Sequence, residues 1–117
     1  MNARLKNLAE ISLVEMSGDI DHNNCGTLET ALDDALAQGA PVVLIDLSGV
    51  SYIDSGGLSV IFSGARQLPQ GGWLGLVGPN PDVRRLLELV GLFADPRFRV
   101  FDDKEAAEAA LRARTTP

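Results

Sequence analysis

The sequence is poor in the residues on which most active sites depend. Its 117 residues include one cysteine and one histidine, and Lys6 and Lys104 are its only lysines. Cys25 cannot form an internal disulfide, which agrees with a reducing compartment such as the cytoplasm. His22 has no second ligand at metal-binding spacing, because Cys25 is expected on a buried helix face. The sequence therefore predicts neither a metal site nor a cofactor.

Long apolar runs and clustered basic residues are also missing. The apolar runs extend over only a few residues, whereas about 20 are needed to cross a bilayer, and no apolar segment of a secretory signal is present. The formal net charge of −6 argues against nucleic-acid binding, which requires clustered Lys and Arg. We therefore expect one cytoplasmic domain over residues 1–117, with a frayed tail at 113–117 and neither membrane nor nucleic acid as a direct partner.

What the sequence does contain is a regular alternation of strand and helix patterns. Strands are predicted at 11–16, 41–47, 73–77 and 98–101, with a weaker partner strand at 4–8 and helices between the others. The order β-β-α-β-α-β-α-β-α predicts an α/β domain with a mostly parallel sheet of four to five strands and about four helices. Functional sites in such sheets lie beyond the carboxyl ends of the strands, here in segments 18–24, 48–57 and 78–82.

The segment Asp54-Ser55-Gly56-Gly57-Leu58 lies where the loop after the third strand turns into a helix. Glycine costs about 1 kcal/mol relative to alanine in a helix, so the two glycines suggest a need for bare backbone. We expect it to serve the approach of a partner or the binding of an anion by free N–H groups.

Ser55 itself has two interpretations. It is either the N-cap of the helix, a role that Asp54 could also fill, or a phosphoacceptor. A phosphate at this position would be opposed by the nearby carboxylates of Asp54 and Asp46.

Two catalytic interpretations have little support from the sequence. Asp19 and Asp21 resemble the carboxylate pair of a magnesium-dependent phosphotransfer site, but no lysine lies at a predicted strand end. The alternative is that both are solvated loop residues, with Asp21 capping the first helix. A serine hydrolase is not expected, because Gly-x-Ser-x-Gly is absent and His22 has no clear orienting partner. No glycine-rich nucleotide-binding motif follows a strand.

Four segments, in order, resemble the STAS domains of the bacterial anti-sigma factor antagonist family. Residues 18–22 (GDIDH) are similar to the family's Gly-[Asp/Glu]-[Leu/Ile]-Asp, and residues 43–50 to its central strand and following loop. Residues 53–58 (IDSGGL) resemble its signature Asp-Ser-[Ser/Thr]-Gly-Leu, and residues 81–93 its third helix and the turn after it. The resemblance covers nearly the whole chain and implies the STAS fold.

The resemblance also implies a regulatory binding protein rather than an enzyme. In the family, the unphosphorylated antagonist binds an anti-sigma factor that is also a serine kinase, and so frees a sigma factor for transcription. Phosphorylation of the signature serine, which matches Ser55, ends the complex, and a phosphatase restores the active form. The partner-binding residues expected here are Asp21, His22, Asp54, Ser55, Gly56, Gly57 and Leu58.

The chain departs from the family pattern at two positions. Gly56 stands where the family usually has Ser or Thr, and Ser59 stands where it commonly has Gly. The phosphoacceptor is kept, whereas loss of the second hydroxyl changes the surface that a kinase meets. The alternative function is a constitutive STAS scaffold, a subunit of a larger signalling or transport assembly in which Ser55 serves only as a cap.

Overall fold

A five-stranded sheet, with its strands in sequence order, organises the chain. The computed structural model describes the backbone of residues 2–8, 11–39 and 41–115, and the side chains of residues 11–39 and 41–111. The first strand runs antiparallel to the second, and the remaining pairs are parallel. The strands are β1 (Asn2–Leu8), β2 (Ile11–Ile20), β3 (Val42–Ile53), β4 (Trp73–Val77) and β5 (Phe98–Phe101).

Helices connect the parallel strands and follow the last one. They are α1 (Cys25–Ala37), α2 (Ser55–Arg66), α3 (Pro81–Leu89) and α4 (Lys104–Thr115), with a short 3-10 turn at Leu92–Ala94 after α3. The order β-β-α-β-α-β-α-β-α predicted from the sequence is therefore confirmed. In the described part of the chain, none of these helices has the length and apolarity to cross a membrane.

Two apolar cores lie on opposite faces of the sheet. The larger one forms against α1, α2 and α3, and the smaller one forms against α4. Val43 and Ile45 point into the larger core, while Val42 and Leu44 point into the smaller one. Because β3 is central and covered on both sides, all six residues from Val42 to Leu47 are buried, and Asp46 is among them.

Strands β2 and β3 extend further than the apolar pattern predicted. Residues 17–20 and 48–53 were expected to be loops, but they continue the parallel β2–β3 pairing. The register passes from Glu15↔Asp46 to Ser17↔Gly49, and then from Gly18↔Val50 to Asp19↔Tyr52. Strand β3 thus contains one extra residue at each of two bulges. Bulges break the period-two alternation of a strand, which is why the pattern concealed this extension.

Helix α4 begins at Lys104 and continues to Thr115, into the segment predicted to be a frayed tail. Residues 113–115 of the predicted frayed tail are therefore helical, and residues 116–117 lie outside the described part of the chain. The helix packs on the sheet through Ala107 and Leu111.

Lys104 ties the start of α4 to the sheet. Its Nζ lies 3.3 Å from Asp46 Oδ2 and 3.8 Å from Glu15 Oε2. Burial raises the pKa of the Asp46 carboxyl, but hydrogen bonds from Ser48 and the contact with Lys104 outweigh it, so the pKa lies below its ordinary value. Asp46 faces α4, on the opposite side of the sheet from α2. Its charge is paired with Lys104, and the expectation that it would oppose a phosphate on Ser55 stays a prediction.

Candidate functional site at the start of helix α2

The N-cap of helix α2 is Asp54. Its Oδ1 accepts hydrogen bonds from the backbone N–H groups of Gly56 at 2.8 Å and Gly57 at 3.3 Å. The carboxylate thus satisfies two donors at the positive end of the helix dipole. Ser55 is the first helical residue, and its side chain is exposed. The interpretation of Ser55 as the cap is therefore wrong, and the helix does not need its hydroxyl.

Asp54 also joins the loop after β2 to the start of α2. Its Oδ2 accepts the backbone N–H of His22 at 3.0 Å and lies 3.1 Å from His22 Nδ1. The N–H of Asp54 donates to the carbonyl of Ile20 at 3.0 Å. Because an ionised carboxylate only accepts hydrogen bonds, the ring contact requires a hydrogen on Nδ1. The expectation that His22 lacks an orienting partner was therefore wrong.

The hydrogen bonds to Asp54 keep its carboxylate ionised. Burial raises the pKa of Asp54, but the bonds from the side chain and backbone of His22 and from the N–H groups of Gly57 and Gly56 outweigh it. The pKa of this carboxyl consequently lies below its ordinary value. A fixed negative charge stands beside the Ser55 hydroxyl at neutral pH.

The two glycines are required by packing within the chain itself. A Cβ on Gly56 would lie 2.8 Å from the Cα of His22 and 2.9 Å from its Cβ. A Cβ on Gly57 would lie 2.6 Å from Cγ2 of Ile20 and 3.0 Å from Cγ2 of Ile53. The N–H groups of both glycines already donate to Asp54. Free N–H groups for an anion are therefore not available at these two glycines, whereas the approach of a partner to this backbone stays a prediction.

The same contact explains one departure from the family pattern. A Ser or Thr at position 56 would bring its Cβ against the backbone of His22, so the loop after β2 would have to move. The position of His22 against α2 therefore depends on a glycine at position 56.

Asp21 orders the loop that carries His22. Its Oδ1 accepts from the N–H groups of Asn23 at 2.9 Å and Asn24 at 3.1 Å, and its own N–H donates to Asn24 Oδ1 at 2.8 Å. Asp21 thus orders the turn before α1. The N-cap of that helix is Asn24, so the prediction that Asp21 caps it was wrong. Asp19 is an exposed residue of β2. Among the residues whose positions are described, no cluster of three or more His, Cys, Asp or Glu could hold a metal ion, so this carboxylate pair lacks a third ligand.

The predicted partner-binding residues divide by exposure. Ser55 and His22 are exposed, whereas Asp21, Asp54 and Gly56 are partly buried around them. The remaining two, Gly57 and Leu58, are buried and support the first turn of α2 from beneath.

An apolar groove next to this site was not anticipated from the sequence. It has a volume of about 270 Å³ and lies between the end of β3 and helix α3. Tyr52 and Leu89 line it and are 54% and 73% exposed. The extension of β3 brings Tyr52 there, and that extension was concealed by the bulges.

Comparison with known proteins assigns this architecture to a family. The family profile described as STAS domain matches residues 2–107. The anti-sigma-F factor antagonist RsfB of Mycobacterium tuberculosis is 28% identical over 102 residues, which span 87% of this chain and 82% of RsfB. An anti-sigma F factor antagonist of Paenibacillus polymyxa is 31% identical over 85 residues, 71% of this chain and 73% of that protein.

A solved structure agrees with the sequence relatives. The crystal structure of an anti-sigma factor antagonist from Mycobacterium paratuberculosis superposes with a TM-score of 0.86 at 29% identity. The superposition covers 95% of this chain and 93% of that one. Its agreement therefore includes both the sheet and the helices on its two faces.

Proposed function

The chain belongs to the STAS-domain family of anti-sigma factor antagonists, and on this premise we propose that it acts as an anti-sigma factor antagonist itself. It is a regulatory binding protein of the cytoplasm and has no catalytic activity of its own. Its unphosphorylated form binds an anti-sigma factor with serine kinase activity and thereby frees a sigma factor. Phosphorylation of Ser55 by that kinase ends the complex, and a phosphatase restores it.

The observation that carries this proposal is the division of labour between Asp54 and Ser55. Asp54 supplies the cap of α2, while Ser55 presents an exposed hydroxyl at the first helical position. A hydroxyl without a structural task, on a rigid helix start, is well placed to enter the active site of a kinase. His22 and Asp21 lie on the adjoining loop and complete the proposed contact surface.

A phosphate at Ser55 gives a physical reason for dissociation. It adds nearly two negative charges beside the ionised carboxylate of Asp54. A partner surface that accommodates a neutral hydroxyl would have to desolvate this charge without a matching cation. The complex is therefore weakened, while the fold, whose helix cap is unchanged, is retained.

Titration calorimetry with the cognate anti-sigma factor tests the switch. We expect Ser55→Asp to weaken binding by about tenfold or more, equivalent to about 1.4 kcal/mol. The matched control is Ser59→Asp, which places the same charge on an exposed residue one turn along α2 and should change affinity by less than about twofold. Equal affinity of Ser55→Asp and the wild-type chain would contradict the proposed switch.

Mass spectrometry separates this proposal from the constitutive scaffold. After incubation with the anti-sigma factor and MgATP, one phosphate should appear on the wild-type chain and none on Ser55→Ala. Binding that persists in MgATP with no phosphate on Ser55 would favour the scaffold.

A further inference from the structure

The start of α2 offers few free donors to a phosphate on Ser55. The N–H groups of Gly56 and Gly57 donate to Asp54 Oδ1, and the N–H of Leu58 donates to the carbonyl of Asp54 at 3.1 Å. These are the groups with which a helix N-terminus ordinarily binds an anion. A phosphate at this position therefore needs another donor, or it must displace Asp54 from its cap.

His22 is held next to the phosphoacceptor from both sides. Its backbone N–H and its Nδ1 both contact Oδ2 of Asp54, the residue before Ser55. Its Cα and Cβ pack over Gly56, the residue after Ser55, more closely than any side chain there would allow. Three-quarters of the imidazole remains exposed. The ring is therefore oriented by its neighbours and still open to a new partner.

His22 is also the contact that can supply positive charge. The atoms nearest to a Cβ placed on Gly56 or Gly57 belong to Ile20, His22, Ile53 and Asp54. Of these four side chains, only the imidazole of His22 can become a cation. The titratable groups around it are Asp54 from α2, and Asp21 and Cys25 from its own loop and the start of α1. Asp21 Oδ1 already accepts two N–H groups, and Cys25 Sγ lies 3.8 Å from the carbonyl of His22.

We propose that His22 binds the phosphate of phosphorylated Ser55, with the imidazolium bridging two anions: Nδ1–H donates to Asp54 and Nε2–H donates to the phosphate. The inference rests on the proposed phosphorylation of Ser55 and adds the group that receives it. The phosphate stays folded against α2 through a charge-assisted hydrogen bond. Gly56 is required because it lets the backbone of His22 lie close enough to α2.

The test uses phosphoserine incorporated at position 55 during translation, so that no kinase is needed. The second ionisation of the phosphate is followed by ³¹P NMR as a function of pH. His22→Asn is the main variant. The asparagine amide can donate to Asp54 in place of Nδ1–H, but asparagine has no counterpart of Nε2 and cannot become a cation. His22→Gln places a neutral amide near the position of Nε2, and Asn23→Gln is the control on the same loop.

We expect the phosphate of the wild-type chain to titrate about half to one pH unit below that of His22→Asn and His22→Gln, because a neighbouring cation favours the dianion. Asn23→Gln should match the wild type. Equal midpoints in the wild type and His22→Asn would overturn the proposal. Amide spectra verify that each variant is folded. Because the phosphoserine is introduced without a kinase, a negative result in the kinase or binding assays does not affect the comparison of phosphate midpoints. The proposed switch and the proposed contact with His22 can therefore be disproved independently.

Discussion

Helices α2 and α3 both begin just beyond parallel strands. Their N-caps, Asp54 and Asn80, have side chains of the same size and shape. Asp54 accepts from the first-turn N–H groups of α2 and uses its second oxygen for His22. Asn80 Oδ1 accepts from the N–H of Val83 at 2.8 Å, and its Nδ2 donates to the carbonyls of Val50 at 3.2 Å and Ser51 at 3.3 Å. Each cap therefore fixes its helix to a neighbouring segment as well as closing its first turn.

The difference between the caps follows from the groups that face them. Asp54 meets only donors, so a carboxylate is suitable, whereas Asn80 meets two carbonyl oxygens and needs an amide. The next residue also differs: α3 has Pro81, which is preorganised for the first helical position, and α2 has Ser55. Helix initiation accounts for Pro81 but not for Ser55. The comparison therefore supports a role for the Ser55 hydroxyl outside helix initiation.

The largest effect on stability should come from adding a methyl group at the start of α2. Position 57 of α2 corresponds to Val83 of α3, yet a Cβ there would lie 2.6 Å from Ile20 Cγ2. We expect Gly57→Ala to lower the free energy of unfolding by about 2–3 kcal/mol through overpacking. Urea denaturation measures the loss.

Gly26 provides the matched control for that substitution. It lies in the first turn of α1 and has no atom within 4 Å of a built Cβ. Gly26→Ala should therefore raise the free energy of unfolding by about 0.5–1 kcal/mol. A Gly57→Ala chain as stable as the wild type would show that the core beneath α2 is looser than the structure indicates.

An intermediate effect is expected from exchanging the chemistry of the α3 cap. Asn80→Asp keeps an acceptor for Val83 but places a carboxylate against the carbonyls of Val50 and Ser51. We expect a loss of about 1–2 kcal/mol in the free energy of unfolding, because two donors are removed. Asn23→Asp, which adds the same charge on an exposed loop, should change stability by less than about 0.5 kcal/mol. Similar losses in the two variants would attribute the effect to net charge rather than to the cap.

The smallest expected effect is the change in stability at acidic pH that results from protonation of Asp54. Folding lowers the pKa of Asp54, so the stabilisation from its ionised form is complete above the ordinary value of 3.8 and is lost as the pH falls through the lower, folded value. Asp54→Asn should thus be less stable than the wild type at pH 7, and the difference should shrink below pH 3.8. Urea denaturation over a pH series measures this. Asn80→Ala is the control, because the side chain that it removes is a neutral amide. Its difference from the wild type in free energy of unfolding should stay constant over the same pH range.

Most of the fold could be predicted because its elements have strong local patterns. The patterns at 41–47, 73–77 and 98–101 located three parallel strands, and the alternation of strand and helix patterns predicted the helices between them. The ends of β2 and β3 could not be predicted in this way. Their bulges leave Leu47, Val50 and Ile53 buried at intervals of three, a spacing that matches no simple strand pattern.

The site itself was predicted less completely than the fold. Ser55 could be identified from its place at a helix start, but the contact between His22 and Asp54 joins residues 32 positions apart. One signal was available: both residues follow adjacent parallel strands, whose carboxyl ends meet at one edge of the sheet. The close packing at Gly56 could not be inferred, because it depends on the exact path of the loop after β2.

The sequential order of the strands has a consequence for how the protein is made. Each strand pairs with the strand that precedes it, so no strand must be inserted between two that are already paired. The contacts that build the Ser55 site lie within residues 20–57, which emerge from the ribosome before α3 and β5 do. We expect folding to proceed from the N-terminus during translation. Proteolysis of stalled nascent chains of increasing length would show protection of β2 and β3 first.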